Sequence, residues 1–156
     1  MIRAIQNGDM QKLVELYDGL HRKSLYHMFK PHYATVLQKT SYLQATPNGF
    51  VRVADHDGEL TGVILCICEE FWWVEDKVGA KYATDLVFYS KRRGDGVLML
   101  KEAIEWAWSR PRVVCFETAV SSGIEHKSAA AMYERAGLKL QGSFWRIEHP
   151  KLREMS

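Results

Sequence analysis

The residues of this chain best suited to chemistry lie in one turn and on two strands. Lys91-Arg92-Arg93-Gly94-Asp95-Gly96 follows the apolar run Leu86-Val87-Phe88-Tyr89 and opens the amphipathic stretch Val97-Leu98-Met99-Leu100. A basic, glycine-spaced turn between strand and helix is a device for holding phosphate. The first-turn N–H groups of a helix have no internal partners and carry the positive end of the helix dipole. Gly94 and Gly96 let the backbone approach an anion without Cβ atoms in the way. The amides from Arg93 to Val97 would do the holding, with Arg92 or Arg93 pairing to a phosphate. Asp95 is the odd member. Its carboxylate would compete for those amides, unless it is a plain helix-terminus residue favoured by the dipole.

Asp85 and Glu117 each interrupt an otherwise apolar strand-like run, where an acidic side chain is expensive to place. Either would serve as a proton acceptor in a cleft, and the plainer account is a polar strand face or an arginine partner. Glu69, Glu70, Glu75 and Asp76 interleave with Phe71, Trp72 and Trp73. Such a segment would attract a cation, or would pack its tryptophans on the core or on another subunit. His21, His27 and His32 lack metal-ligand spacing and read as solvated loop residues. Cys66, Cys68 and Cys115 sit in apolar runs and read as buried thiols, with no zinc ligands at suitable spacing, so no metal is expected.

These groups need a scaffold. With 156 residues the chain is long enough for one domain, spanning 1–156, with a real core. Its 47% hydrophobic and 26% charged residues are those of an ordinary soluble globular protein. A formal net charge of +2, without a basic stripe, argues against nucleic-acid or membrane partners. No apolar run is long enough to span a membrane and no signal-peptide core follows Met1, so a cytoplasmic location is expected.

Ile2 to Ile5 reads as a short strand, with Asp9 as the N-cap of a helix carrying Leu13, Leu16, Tyr17 and Leu20. A second helix follows Pro31, with Tyr33, Val36, Leu37 and Thr40 on one stripe. Strands at 50–54 and 62–68 flank the hairpin turn His56-Asp57-Gly58. The second is apolar throughout, as suits a strand covered on both faces. A strand at 82–89 leads through the glycine turn into a helix at 96–109. Val97, Leu100, Ile104, Ala107 and Trp108 would form its buried stripe. A strand at 113–119 follows, then a turn at 121–123 and a helix at 126–136. Gly137 suits the left-handed position beyond that helix, and strands at 138–141 and 144–147 complete the reading.

This element order resembles the GNAT family of acyl-CoA N-acyltransferases. The turn at 91–96 is similar to that family's pyrophosphate loop, Q/R-x-x-G-x-G/A, with Lys91 in the first place. Ala129-Ala130-Ala131-Met132-Tyr133-Glu134-Arg135-Ala136-Gly137-Leu138 resembles its A-x-x-x-Y-E-x-x-G-F segment, with Leu138 for Phe. The second half also looks like small bacteriophage-encoded acetyltransferases, which would place the protein in a host cytoplasm.

The resemblance implies a single α/β domain. Its central, mostly antiparallel mixed sheet would twist, splay between the fourth and fifth strands, and carry helices on both faces. It implies acetyl-CoA as donor, held by the loop and by main-chain groups of Leu86 and Phe88, with a primary amine as acceptor. Tyr133 would protonate the departing sulfur, while Asp85 or Glu117 takes the amine proton, directly or through water. His126 stands where the family often has Asn, and with Ser121 and Ser122 would contact the pantetheine arm. Exposed tryptophans would fit a homodimer. A non-catalytic or CoA-binding module on the same scaffold is the rival reading, favoured by Asp95 and Lys91.

Overall fold

The computed structural model describes residues 1–72, 79–92, 94–119 and 126–141, without the side chains of residues 126 and 127. The elements run β1 (Ile2–Arg3), a 3-10 turn (Asn7–Asp9), α1 (Met10–Lys23), α2 (Tyr33–Ala45), β2 (Gly49–His56), β3 (Glu59–Glu70) and β4 (Lys81–Ser90). Then come α3 (Asp95–Trp108), β5 (Val113–Glu117) and α4 (His126–Arg135). The sheet has the order β1-β2-β3-β4-β5, antiparallel up to β4, with β5 parallel to β4. A parallel neighbour cannot be reached by a tight turn, and α3 supplies the crossover. Asp57 and Gly58, both at positive φ, make the β2–β3 turn, whose twist matches that of its strands.

Alternation along β3 builds two cores. Val63 and Leu65 pack with Leu13, Leu16 and Tyr17 of α1 and Leu43 of α2. Ile64 and Cys66 pack on the other face with Met99, Leu100 and Ala103 of α3, and Tyr133 and Ala136 of α4 press against that second core. A strand buried on both faces has no polar side to show, which is why its sequence does not alternate.

Three details correct the sequence reading. Asp9 does not cap α1: its carboxylate accepts from Arg3 Nη1 at 2.6 Å, Arg3 Nη2 at 2.9 Å and the Gln6 amide at 2.7 Å. Arg3 Nε also reaches Asp55 at 2.8 Å, so one guanidinium ties β1 to the start of α1 and to the end of β2. On α3 the buried stripe is Met99, Leu100, Ala103 and Ala107, and Trp108 is 55% exposed. Trp108 shares the exposed side of the helix with Leu98, Lys101 and Glu105, and Trp106, 5.3 Å from Phe50 between ring centroids, takes the packing role expected of Trp108.

Residues 138–141 form no strand. They leave α4 through a left-handed cap: Gly137 has φ 92°, its amide donates to Glu134 O, and the Leu138 amide donates to Tyr133 O, both at 3.0 Å. The turn at 121–123 and the strand at 144–147 lie outside the described residues. Among those residues no helix is long and apolar enough to cross a membrane.

Arg3 holds Asp9 and Asp55 well below the usual carboxylate range, chiefly through its hydrogen bonds. Stability from such lowered groups is present above the ordinary Asp pKa and lost as pH falls through the lowered value. Arg3→Gln should therefore reduce unfolding free energy at neutral pH by on the order of 1–3 kcal/mol through the Arg3–Asp9 pair. The deficit should narrow in acid. Denaturant midpoints at the two pH values check this, and equal deficits would show that the pair is not what Arg3 supplies.

Candidate active site

The site begins where β4 and β5 part. Their pairing runs from Lys81↔Val113 to Thr84↔Glu117 and stops, while β4 continues through residues 85–90. A bulge in the β3–β4 ladder accompanies the parting. Leu65 stands opposite Val87 and Cys66 opposite Asp85, which leaves Leu86 as the extra residue. A bulge reverses the facing of what lies beyond it. Asp85 thus shares the α3 face with Cys66, and Val87 shares the α1 face with Leu65. Leu86, 45% exposed, opens onto the gap. The result is a cleft of about 830 Å³ between the free half of β4, the start of α3 and the inner face of α4.

At one end of the cleft the chain turns into α3. Gly94, with φ 100° and ψ −39°, turns the chain into α3 and offers its carbonyl to the Leu98 amide at 3.2 Å. Among the described residues no side chain caps the helix, which leaves its first-turn amides, those of Asp95, Gly96 and Val97, without a capping partner there. Gly94, Gly96 and Val97 line the cleft. Asp95 does not intrude on them. Its Oδ2 accepts from Thr61 Oγ1 and pairs with His56 Nε2, each at 2.9 Å, and the residue is only 8% exposed. The competition expected from its carboxylate is absent.

A Cβ at Gly96 would lie 2.6 Å from Met132 Sδ and 3.4 Å from Phe88 Cζ, so a side chain there would push the Met132 side chain aside. Lys91 and Arg92 line the cleft as well. The Lys91 amide is spent on Thr61 O at 2.7 Å, and the Lys91–Glu59 ion pair, 4.0 Å long and exposed, contributes little. Arg93 lies outside the described residues.

The other chemistry sits deeper, where Asp85 and Tyr133 both line the wall. Burial pushes the Asp85 carboxyl above its ordinary range, and the Thr118 hydroxyl and the residue's own amide offset this only in part. Burial likewise raises the Tyr133 phenol. Thr118 opposes that shift and the charge of Asp85 adds to it. The Tyr133 ring lies 6.4 Å from that of Phe88, nearly parallel to it. The left-handed cap at Gly137 bonds directly to the Tyr133 carbonyl, which fixes where this turn of α4 sits.

Glu117 is placed elsewhere. It is exposed, accepts a weak contact from Cys115 Sγ at 3.7 Å, and does not line the cleft. His126 opens α4, and nothing of its side chain is described. Ser121 and Ser122 lie outside the described residues.

The cleft has a third wall. Tyr17, His21, Lys23 and Tyr33 from α1, α2 and their connection cover the cleft, with Tyr89 of β4 facing them. The helical spacing of Tyr17 was visible, but its use was not. His27 and His32 are exposed, as expected, and all three histidines bond locally: His21 Nε2 lies 2.7 Å from Phe29 O, His27 Nδ1 lies 3.0 Å from Ser24 O, and His32 Nδ1 caps α2. Among the described residues no group of side chains is arranged to hold a metal. Of the acidic and aromatic segment, Glu69 and Glu70 end β3 and Trp72 is 86% exposed, with none lining the cleft. Trp73, Glu75 and Asp76 lie outside the described residues.

The raised Asp85 carboxyl has a consequence for stability. Between the ordinary Asp value and the raised one the folded state binds more protons than the unfolded, so stability falls as pH rises across that window. Asp85→Asn removes the penalty. Its melting temperature relative to wild type should climb by a few degrees from acid to neutral pH, followed by differential scanning fluorimetry. A pH-independent difference would mean the carboxyl is not buried as described.

No protein-family model and no curated protein sequence matches this chain. Solved structures do. An aminoglycoside 6′-N-acetyltransferase from Acinetobacter haemolyticus is 15% identical with a TM-score of 0.66, covering 96% of this chain and 97% of its own. A GNAT family acetyltransferase from Staphylococcus aureus is 15% identical with a TM-score of 0.60, covering 96% and 98%. A transcriptional regulator from Bacillus halodurans is 18% identical with a TM-score of 0.72, covering 96% and 99%. At these identities the likeness concerns architecture: this chain has the GNAT acetyltransferase fold.

Proposed function

We propose that the protein is an acyl-CoA N-acyltransferase that moves an acetyl group from acetyl-CoA to a primary amine by direct transfer in a ternary complex. The observation that carries this reading is one cleft holding both an uncapped helix start and, farther in, a buried carboxyl facing a buried phenol. The helix amides suit a diphosphate, with Arg92 beside them. The unpaired edge of β4 at residues 85–90 suits an elongated amide-bearing arm, which would bond to main-chain groups as an added strand does. The two GNAT acetyltransferases above support the reaction class on fold alone, and the B. halodurans protein keeps a non-catalytic role on the same scaffold in view.

In the proposed reaction the amine attacks the thioester carbonyl. A C–N bond forms, and Asp85 takes the proton that the nitrogen must shed. Burial raises its proton affinity toward that task. Collapse of the tetrahedral intermediate breaks the C–S bond, and Tyr133 gives its proton to sulfur. Asp85 is preferred to Glu117 as base because it lines the cleft. Among the described lining residues it is the sole carboxylate, against Lys23, Lys91, Arg92 and Arg135. This balance favours an acceptor with one amine over a polycation such as the aminoglycoside named for the A. haemolyticus enzyme.

Tyr133→Phe should lower kcat by about 10- to 100-fold with little change in acetyl-CoA affinity, measured as thiol release across a panel of amines. An unchanged rate would remove the tyrosine from the reaction. Gly94→Val should weaken acetyl-CoA binding in calorimetry by about tenfold or more, since a β-branched residue resists φ 100°. Wild-type protein that binds CoA but acylates no amine would instead establish the binding-module reading.

A further inference from the structure

One buried polar atom is left over. Thr118 follows β5 directly, at the point where that strand leaves β4. Its Oγ1 is shielded from solvent and has no hydrogen-bond partner among the described residues. A buried hydroxyl in that condition is unfavourable and calls for a reason. Two groups lie close by. The hydroxyl is near enough to the Asp85 carboxyl and to the Tyr133 phenol to lower the proton affinity of both, yet it meets full hydrogen-bond geometry with neither. The three come from different elements, β4, the end of β5 and α4, and converge at the parting of the strands. The other titratable group against Asp85 is Cys66, its partner across the ladder, a buried thiol raised by burial and by Asp85 itself.

The proposed reaction, on which this inference rests, leaves the site out of balance. After one turnover Asp85 holds the proton taken from the amine, and Tyr133 has lost its own to sulfur. Nothing further can happen until Asp85 is ionised and Tyr133 is neutral again. Exchange with bulk water would have to pass through a cleft that is covered on several sides and filled by product.

We infer that Thr118 is a positioning residue that passes the proton from Asp85 back to Tyr133, resetting the site internally after each transfer. The Asp85 O–H bond breaks as Thr118 Oγ1 gains that proton, and the original Thr118 proton moves to the phenolate oxygen. No electron pair leaves the site and no co-reactant is consumed. Transfer from a carboxylic acid to a phenolate runs downhill. The unpartnered state of the hydroxyl is then functional: held fast by one neighbour, it would not serve the other.

The test uses Thr118→Val, which keeps the shape and removes the hydroxyl, and Thr118→Ser, which keeps the hydroxyl. The valine variant should lose about tenfold in kcat with the acetyl-CoA KM within about twofold, and the serine variant should recover most of that. The first turnover in a rapid-mix experiment should stay near the wild-type rate in both, with the steady state slowed only in valine. The solvent isotope effect on kcat should increase in valine, and a small buffer such as imidazole should partly restore it. A valine variant that turns over like wild type, or a serine variant as impaired as valine, would overturn the relay.

A second readout needs no activity. Carboxyl NMR titration of Asp85 should move upward in Thr118→Val, since the hydroxyl opposes the burial shift, and an unmoved titration would overturn the contact. If wild-type protein acylates no amine, the proposed reaction fails and the relay with it. A relay failure alone leaves the wild-type turnover intact.

Discussion

β5 ends at Glu117 while β4 runs on to Ser90, and the site is built on that unequal length. Interior backbone N–H and C=O groups demand partners, and among the described residues the far half of β4 is a sheet edge without a neighbouring strand, a standing demand of this kind. The crossover through α3 decides which end opens. A right-handed β-α-β unit starts its helix beside the carboxyl end of the first strand. The same end of β4 therefore carries the unpaired edge, the uncapped amides of α3 and the opening of the cleft. α4 closes the opposite wall, with the Met132 side chain lying against Gly96.

At the anion end, the arrangement of Asp95 shows how a carboxylate can sit at a helix start without occupying it. An aspartate here gains from the dipole wherever its oxygens point. Thr61 and His56 draw it toward the β2–β3 hairpin, and the Lys91 amide bonds to the Thr61 carbonyl from the same side. The hairpin thus braces both flanks of the glycine turn. Rigidity of this sort matters because a cradle made of main-chain amides binds well only if its donors are already aimed.

What was legible in the sequence was local, and what was not depended on distant partners. Gly137 follows a helix-ending rule confined to one turn, and it stands where that rule puts it. The β2–β3 turn and the apolar β3 were readable for the same reason. Asp95 was misjudged because its partners lie 34 and 39 residues away, and Asp9 because Arg3, which claims it, is also committed to Asp55, 52 residues from Arg3. The bulge at Leu86 leaves no trace in alternation. Without it, Asp85 would face the same side as Val87, toward α1 and away from Tyr133. Thr118 looked like one more strand residue, and only the end of the β4–β5 ladder gives it meaning.

In the proposed transfer, burial acts on two groups of opposite duty and moves both in the same direction. For Asp85 this is an advantage, since a carboxylate with raised proton affinity is the better base. For Tyr133 it cuts both ways. The phenol is reliably protonated when the thioester arrives, but it holds that proton more tightly than a departing sulfur would. Donation then belongs late in C–S cleavage, when the charge on sulfur is largest and water is excluded. A phenolate formed there is strongly basic and cannot persist next to a protonated Asp85. Lowering either proton affinity by letting water in would ease one step and spoil the other, so the site has reason to stay dry and to keep a hydroxyl between the two.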